Sequence, residues 1–214
     1  MELALIRRHE PEFERERLLT LLQGSVRPVA VVSIAFRPDA LSVEAFRSAG
    51  IPIVVIDEQV EGTSTVACDS SKGGYLAGQH FLALGRRAPA LVCGDASPGG
   101  HYNAVLRRRG FEKALAEKGI ALPEEHVFEV EEYSRKDGID AVRKFLGGAR
   151  MPDAVFCAAG DNVATGILAA ARAARLKVPE QLAVMGFDDI PLAAISEPPL
   201  TTFRQPMDGV RAET

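Results

Sequence analysis

Two adjacent aspartates, Asp188 and Asp189, end the apolar run "LAVMGFDD" and lead into the proline-rich stretch "IPLAAISEPPLTTFRQP". Carboxylates at such a place can act as acid and base, ligate a metal, or accept hydrogen bonds from a bound molecule. As sequence neighbours on a strand end they point in different directions, which argues against a catalytic pair straddling one bond. Three more apolar runs end in the same way, at Asp57, Asp95 and Asp161. Each of these could equally cap a helix or close a loop, because aspartate is a favoured N-cap.

The remaining chemistry-bearing residues do not assemble a reaction centre by their spacing. His9, His80, His101 and His126 are scattered without metal-ligand intervals, and His80 falls inside a helical pattern. Cys68, Cys93 and Cys157 are isolated in apolar runs and odd in number, as expected of small buried residues in a reducing compartment. Neither a G-x-x-x-x-G-K-[ST] loop nor a G-x-G-x-x-G turn after a strand is present, and "GDASPGGHYN" reads as a flexible entry to a helix. A G-x-S-x-G elbow is also missing. The expectation is a protein that is not an enzyme and carries no cofactor and no metal.

The elements that position the aspartates alternate in type. Short β-branched runs occur at "VAVVSI", "IPIVVID", "PALVCGD", "DAVFCAAGD" and "LAVMGFDD". Between them apolar residues recur at helical steps: Ala77, Phe81 and Leu84 before Gly85, Phe111 and Leu115 before Gly119, and Val163, Ile167, Ala171 and Ala174. This predicts an α/β protein with mainly parallel sheets whose strands are covered by helices on both faces. In such sheets the carboxyl ends of the strands open onto the ligand crevice, where these aspartates fall.

The chain has 214 residues, enough for one domain or two lobes, and 47% of them are apolar against 25% charged. A formal net charge of -4 argues against this piece alone gripping nucleic acid, and the arginines of "LRRRGF" and "IRRHEPEFERER" read as solvated helix faces. No apolar run approaches membrane-spanning length and the N-terminus lacks a signal-peptide core, so a cytoplasmic protein with no membrane partner is expected.

Four stretches, in order, carry a resemblance: "VACDSSKGGYLAGQHFLALGRR", "NAVLRRRGFEKALAEKGI", "PDAVFCAAGDNVATGILAAARAARLKVPEQLAVMGFDDIP" and "PPLTTFRQP". Together they resemble the effector-binding core of the LacI/GalR family of transcription regulators, with its D-N-x-x-G-G, R-x-x-G-F, G-F-D-D and P-x-L-T-T-x-x-Q-P motifs. The resemblance implies a two-lobed periplasmic-binding-protein-like fold with a small ligand, a sugar or a related molecule, in the cleft between the lobes. Residues 1–86 with 205–214 would form the N-terminal lobe and 87–204 the C-terminal lobe, joined by crossovers such as "EPPLTTFRQP".

Carried over residue by residue, Asp188 matches the G-F-D-D aspartate that accepts effector hydroxyls, with helix capping as its alternative. Arg107 matches the arginine of R-x-x-G-F, whose fork suits ligand oxygens or a salt bridge across the lobe. Tyr133 matches a position where an aromatic ring lies against the effector, and an anchored loop tyrosine fits equally. Lys72 matches a cleft position that varies with effector, where a cation would favour an acidic or phosphorylated ligand. Asp161 stands as a ligand contact or a helix N-cap. Two departures bear on effector identity: Gly160-Asp161 replaces the usual Asn-Asp, and Asp69-Ser70 the usual Asp-Asn.

The family places a DNA-reading helix-turn-helix before this core, and no such headpiece precedes Met1 here; operator DNA is expected only through it. "MELALIRRHEP" corresponds to the second strand of the first lobe, so the first lobe is expected to be incomplete, with exposed strand edges. The family also implies a homodimer. A solute-binding protein of a sugar transporter shares the fold and is the alternative function, which a signal peptide upstream would favour.

Overall fold

The computed structural model describes residues 11–24, 27–34, 37–97 and 100–206. It divides into two compact units, residues 1–68 and 69–214. The strand expected at "MELALIRRHEP" and the tail after 206 lie outside the described residues.

The first unit holds the helices α1 (Pro11–Gln23) and α2 (Ala40–Ser48) and a parallel sheet of β1 (Val31–Ile34), β2 (Ile53–Ile56) and β3 (Ser64–Val66), in that spatial order. Asp39 starts α2 by accepting the Ser42 N–H at 2.7 Å, an ordinary N-cap. Leu18 from α1 and Val43 and Phe46 from α2 pack on Val31, Ile53 and Val55. The other face of β1 is open: Val32 and Ile34 are 59% and 66% exposed. The expectation of helices on both sheet faces therefore fails at β1 among the described residues.

The second unit is built on five parallel strands: β4 (Pro89–Cys93), β5 (Val127–Glu129), β6 (Ala154–Cys157), β7 (Ala183–Asp188) and β8 (Thr201–Arg204). Their spatial order is β5-β4-β6-β7-β8. Here both faces are buried, as the continuous apolar runs predict. On one face Ala90, Val92, Val155, Cys157 and Val184 pack with the helices α5 (Arg135–Gly147) and α6 (Asp161–Ala173). On the other, a row of rings runs from Phe81 through Phe111, Phe156 and Phe187 to Phe203, with centroids 4.8 to 6.4 Å apart. Phe81 belongs to α3 (Ser70–Ala83) and Phe111 to α4 (Tyr102–Ala116). The short α7 (Pro191–Ile195) follows β7.

The lobes expected from the resemblance and this division differ in two places: residues 70–83 sit with the second unit, and so does the chain after residue 204. The reason for the first is a backbone contact between α3 and α4. A Cβ on Gly74 would lie 2.0 Å from the Arg107 carbonyl oxygen, and one on Gly110 would lie 2.0 Å from that of Ser71. The helices touch through glycines, which brings their axes closer than side chains would allow. Of the expected helix faces, Ala77, Phe81, Phe111, Leu115, Val163, Ile167 and Ala171 are buried. Leu84 and Ala174 are exposed, because each falls on the C-cap of its helix, past the last turn that faces the sheet.

Candidate functional site

The carboxyl ends of β4, β6 and β7 bring four of the five expected site residues together. Asp188 is the last residue of β7 and half-buried, with φ of 103°. Its Oδ1 accepts from the Gln205 side-chain amide at 2.6 Å. On its other side lies Gly160, where a Cβ would sit 2.8 Å from Asp188 Oδ2. Gly160 has φ of 106° and ψ of 166°, a region open in practice to glycine alone, so the replacement of Asn by Gly and the placing of this carboxylate belong together.

Arg107 is buried on α4. Its Nη1 donates to the Ala158 carbonyl at the end of β6 at 2.7 Å, and its guanidinium lies 3.6 Å from the centroid of Phe187. Nε reaches the Ser70 hydroxyl at 3.4 Å, and that hydroxyl donates to Asn103 at 3.1 Å. Its neighbour Arg108 pairs with Glu112 and Glu124.

Tyr133 precedes α5 with φ of 55°. Ser134 caps the helix in a reciprocal box with Asp137, and the Tyr133 carbonyl accepts from Asn162 at 3.1 Å. Its hydroxyl reaches His101 Nδ1 at 2.9 Å and lies over Gly94, where a Cβ would be only 1.8 Å away. The ring is therefore fixed at both ends at the exit of β4.

Asp161 opens α6, and Gly160 rather than Asp161 is the N-cap. Its carboxylate is turned away from its own helix. Oδ2 accepts from the Ile190 N–H at 3.0 Å, and Oδ1 accepts from the Thr202 hydroxyl at 2.7 Å. Burial pushes the Asp161 carboxyl above its ordinary value, against the opposing hydrogen bonds from Thr202 and Ile190. Lys72 lies exposed in the first turn of α3, where its backbone N–H donates to Asp69. Asp57 follows β2 with φ of 63°. Asp95 serves a loop, accepting from the Ser97 N–H at 2.9 Å and its hydroxyl at 2.6 Å. Asp189 forms an ion pair with Arg204.

His101, Gln205 and Thr202 were not singled out from the sequence as site residues. His101 stands 32 positions from Tyr133 and Gln205 stands 17 from Asp188, so no local pattern joins them. Among the described residues no group of three or more His, Cys, Asp or Glu could hold a metal ion, and no helix is long and apolar enough to cross a membrane.

The model of the periplasmic binding protein-like domain matches residues 78–212. The chain is 32% identical over 208 residues to the HTH-type transcriptional regulator DegA of Bacillus subtilis, covering 96% of this chain and 60% of that protein. It is 31% identical over 197 residues to the HTH-type transcriptional repressor PurR of Haemophilus influenzae, covering 92% of this chain and 57% of that one. The chain thus spans about 60% of the length of these relatives. Among solved structures, a LacI family transcriptional regulator from Lactobacillus casei with bound glucose is 28% identical at a TM-score of 0.82, covering 98% of this chain and 77% of that one. A complex of the transcriptional regulator CelR with cellobiose is 30% identical at a TM-score of 0.78, covering 94% of this chain and 65% of that one. The parallel strands agree with these matches: the chain belongs to the periplasmic binding protein-like domain family, and the relatives it matches are transcription regulators.

Proposed function

We propose that this chain is the effector-sensing part of a LacI-type transcription regulator, binding a sugar at the carboxyl end of its five-stranded sheet. Asp188 accepts ligand hydroxyls, the Tyr133 ring lies against an apolar ligand face, and Arg107 supports the site from beneath. Asp161 shapes the same strand end, and Lys72 at the start of α3 extends the reading to acidic or phosphorylated sugars. Operator binding, a homodimer and control of transcription belong to the same reading. The observation that carries it is the half-buried Asp188 carboxylate at the end of β7, bonded to the Gln205 amide and lying beside Gly160. The glucose bound in one relative and the cellobiose in another support a sugar as the class of ligand.

A thermal-shift screen over glucose, sucrose, cellobiose, pentoses, sugar phosphates and purines tests this. A ligand at about 100 times its Kd raises Tm by roughly 5–10 °C for a domain of this size. The shift is expected from at least one sugar and lost in Asp188→Ala. A purine as the sole hit would overturn the sugar, and a sugar shift retained in full by Asp188→Ala would overturn the site.

A further inference from the structure

Three carboxylates grip the strand β8 as the chain leaves the sheet. Thr202 donates to Asp161, Gln205 donates to Asp188, and Arg204 pairs with Asp189. Asp161 differs from the other two in its place: it is 1% exposed, and its second oxygen holds the Ile190 N–H. One buried carboxylate thus ties together the start of α6, the turn after β7, and β8. Thr202 closes the arrangement, since its hydroxyl oxygen also accepts from the Asp189 N–H at 3.3 Å.

Between these tied points lie Asp188 and Asp189, with φ of 103° and 57°. Two successive non-glycine residues in left-handed backbone persist only where their surroundings over-determine them. The sheet makes room for the same carboxylate, because a Cβ on Gly186 would lie 2.1 Å from Asp161 Oδ1. With both oxygens engaged inside the protein, Asp161 has little to offer a ligand directly.

We propose that Asp161 is a positioning residue, whose carboxylate, held by Thr202 and Ile190, fixes the left-handed Asp188–Asp189 turn and with it the direction of the Asp188 carboxylate. That this direction serves ligand recognition rests on the function proposed above; the fixing of the turn does not. The buried acid is hydrogen-bonded on both oxygens, and it holds Ile190, next to the turn, and Thr202, across from it, at a set distance. Loss of either bond weakens the hold and frees the turn to relax.

The test uses the ligand-free protein, so the absence of any sugar hit leaves it unaffected. Site-resolved amide hydrogen exchange and the side-chain carboxyl carbon resonance of Asp188 are compared in Thr202→Val, Thr202→Ser and Asp161→Asn. Thr202→Val keeps the shape and removes the hydroxyl, and it is expected to speed exchange of the Ile190 amide by about tenfold and to shift the Asp188 resonance. Asp161→Asn is expected to do the same, since its side-chain NH2 puts a donor in place of one of the two accepting oxygens. Thr202→Ser retains the hydroxyl and stays within about twofold of the parent. Amides of β5, at the opposite edge of the sheet from β8, are unchanged in all three. Unchanged Ile190 exchange in Thr202→Val overturns the proposal, as does equal acceleration throughout β5, which marks general loosening. Thr202→Ser behaving like Thr202→Val overturns it too, because the hydroxyl would then not be the operative group. Should Asp161→Asn fail to fold, the two Thr202 variants decide alone.

Discussion

Replacing Gly110 by alanine puts a methyl group into the contact that seats α3 on α4. The new Cβ would meet the Ser71 carbonyl oxygen at 2.0 Å and the Tyr75 nitrogen at 2.8 Å, whereas real Cβ atoms essentially never come under 3.0 Å. Both obstacles are backbone, so no rotamer change relieves them, and the helices must part by about 1 Å. That movement loosens the Phe81–Phe111 contact and the buried Ala77 and Ala114 beside it. Overpacking of this kind costs ~1–3 kcal/mol, and a rigid obstacle puts it at the upper end or beyond. Alanine returns about 1 kcal/mol through its helix propensity. The net expectation is a loss of about 2 kcal/mol, or a urea midpoint lower by about 1 M at the m-value of a chain this size. Gly147→Ala is the control: nothing lies within 4 Å of its Cβ, so it is expected to be neutral or to gain up to ~1 kcal/mol. Urea melts of the three proteins by circular dichroism decide the matter. A Gly110→Ala midpoint at or above the parent would refute the argument that backbone contact sets the spacing of these helices.

Other expectations follow from single groups. Burial alone would raise the Asp137 carboxyl, but hydrogen bonds from Ser134 and from the Glu131 N–H bring it below its ordinary value. Its folded pKa being the lower one, its stabilisation is full above the ordinary carboxylate range and fades as pH falls through the folded value; Asp137→Ala should cost about 1 kcal/mol near pH 7 and much less near pH 2 in urea melts, and equal costs would contradict the capping box. Burial pushes the Cys93 thiol up to about 12 and the Cys157 thiol higher still, so with a thiol reagent at mild pH both should react only on unfolding. Rapid labelling of two or more thiols in the native protein would contradict their burial. Arg107→Ala leaves the Ala158 carbonyl and the Phe187 ring uncovered and should lower the urea midpoint, while Arg107→Lys, keeping charge but not the planar fork, should fall between. Equal midpoints for lysine and arginine would remove the stacking from the account.

Much of this was legible in the chain itself, for physical reasons. The runs around Val92, Val155 and Val184 are apolar throughout because both sheet faces are buried, and Phe111, Leu115, Val163 and Ile167 recur at helical steps because one helix face meets the sheet. Three of the four aspartates at strand ends, Asp95, Asp161 and Asp188, fall at the carboxyl end of the five-stranded sheet, and Asp57 follows β2 in the other sheet. The pairing of side chains at the carboxyl end of the five-stranded sheet was not legible. Asp161 finds Ile190 and Thr202 at separations of 29 and 41 residues, through a register of β7 on β8 that no local periodicity encodes. Of the two roles weighed for Asp161, the N-cap position falls to Gly160, and the Asp161 carboxylate bonds donors distant in sequence. The open face of β1 was also hidden, because "VVSI" reads the same whether one face or two are covered.

The same glycine contact occurs twice in the second unit, and its placing explains how the site is held. A Cβ on Gly138 would lie 2.0 Å from the Val163 carbonyl, and one on Gly166 would lie 2.0 Å from that of Arg135, repeating on α5 and α6 the arrangement of α3 and α4. One pair covers each face of the sheet. His101 precedes α4, Tyr133 stands two residues before α5, and Asp161 opens α6, so three side chains at the strand ends ride on the starts of helices locked by backbone contact. The strand β8 is held by its register on β7 and the Phe187–Phe203 stack, and in addition by the polar bonds of Thr202, Arg204 and Gln205 to three carboxylates. Packed backbones allow one spacing, whereas hydrogen bonds to carboxylates can be exchanged for others at small cost. On the function proposed above, a ligand hydroxyl donating to Asp188 Oδ1 would compete with the Gln205 amide just past the end of β8, while the helix-borne groups stay fixed.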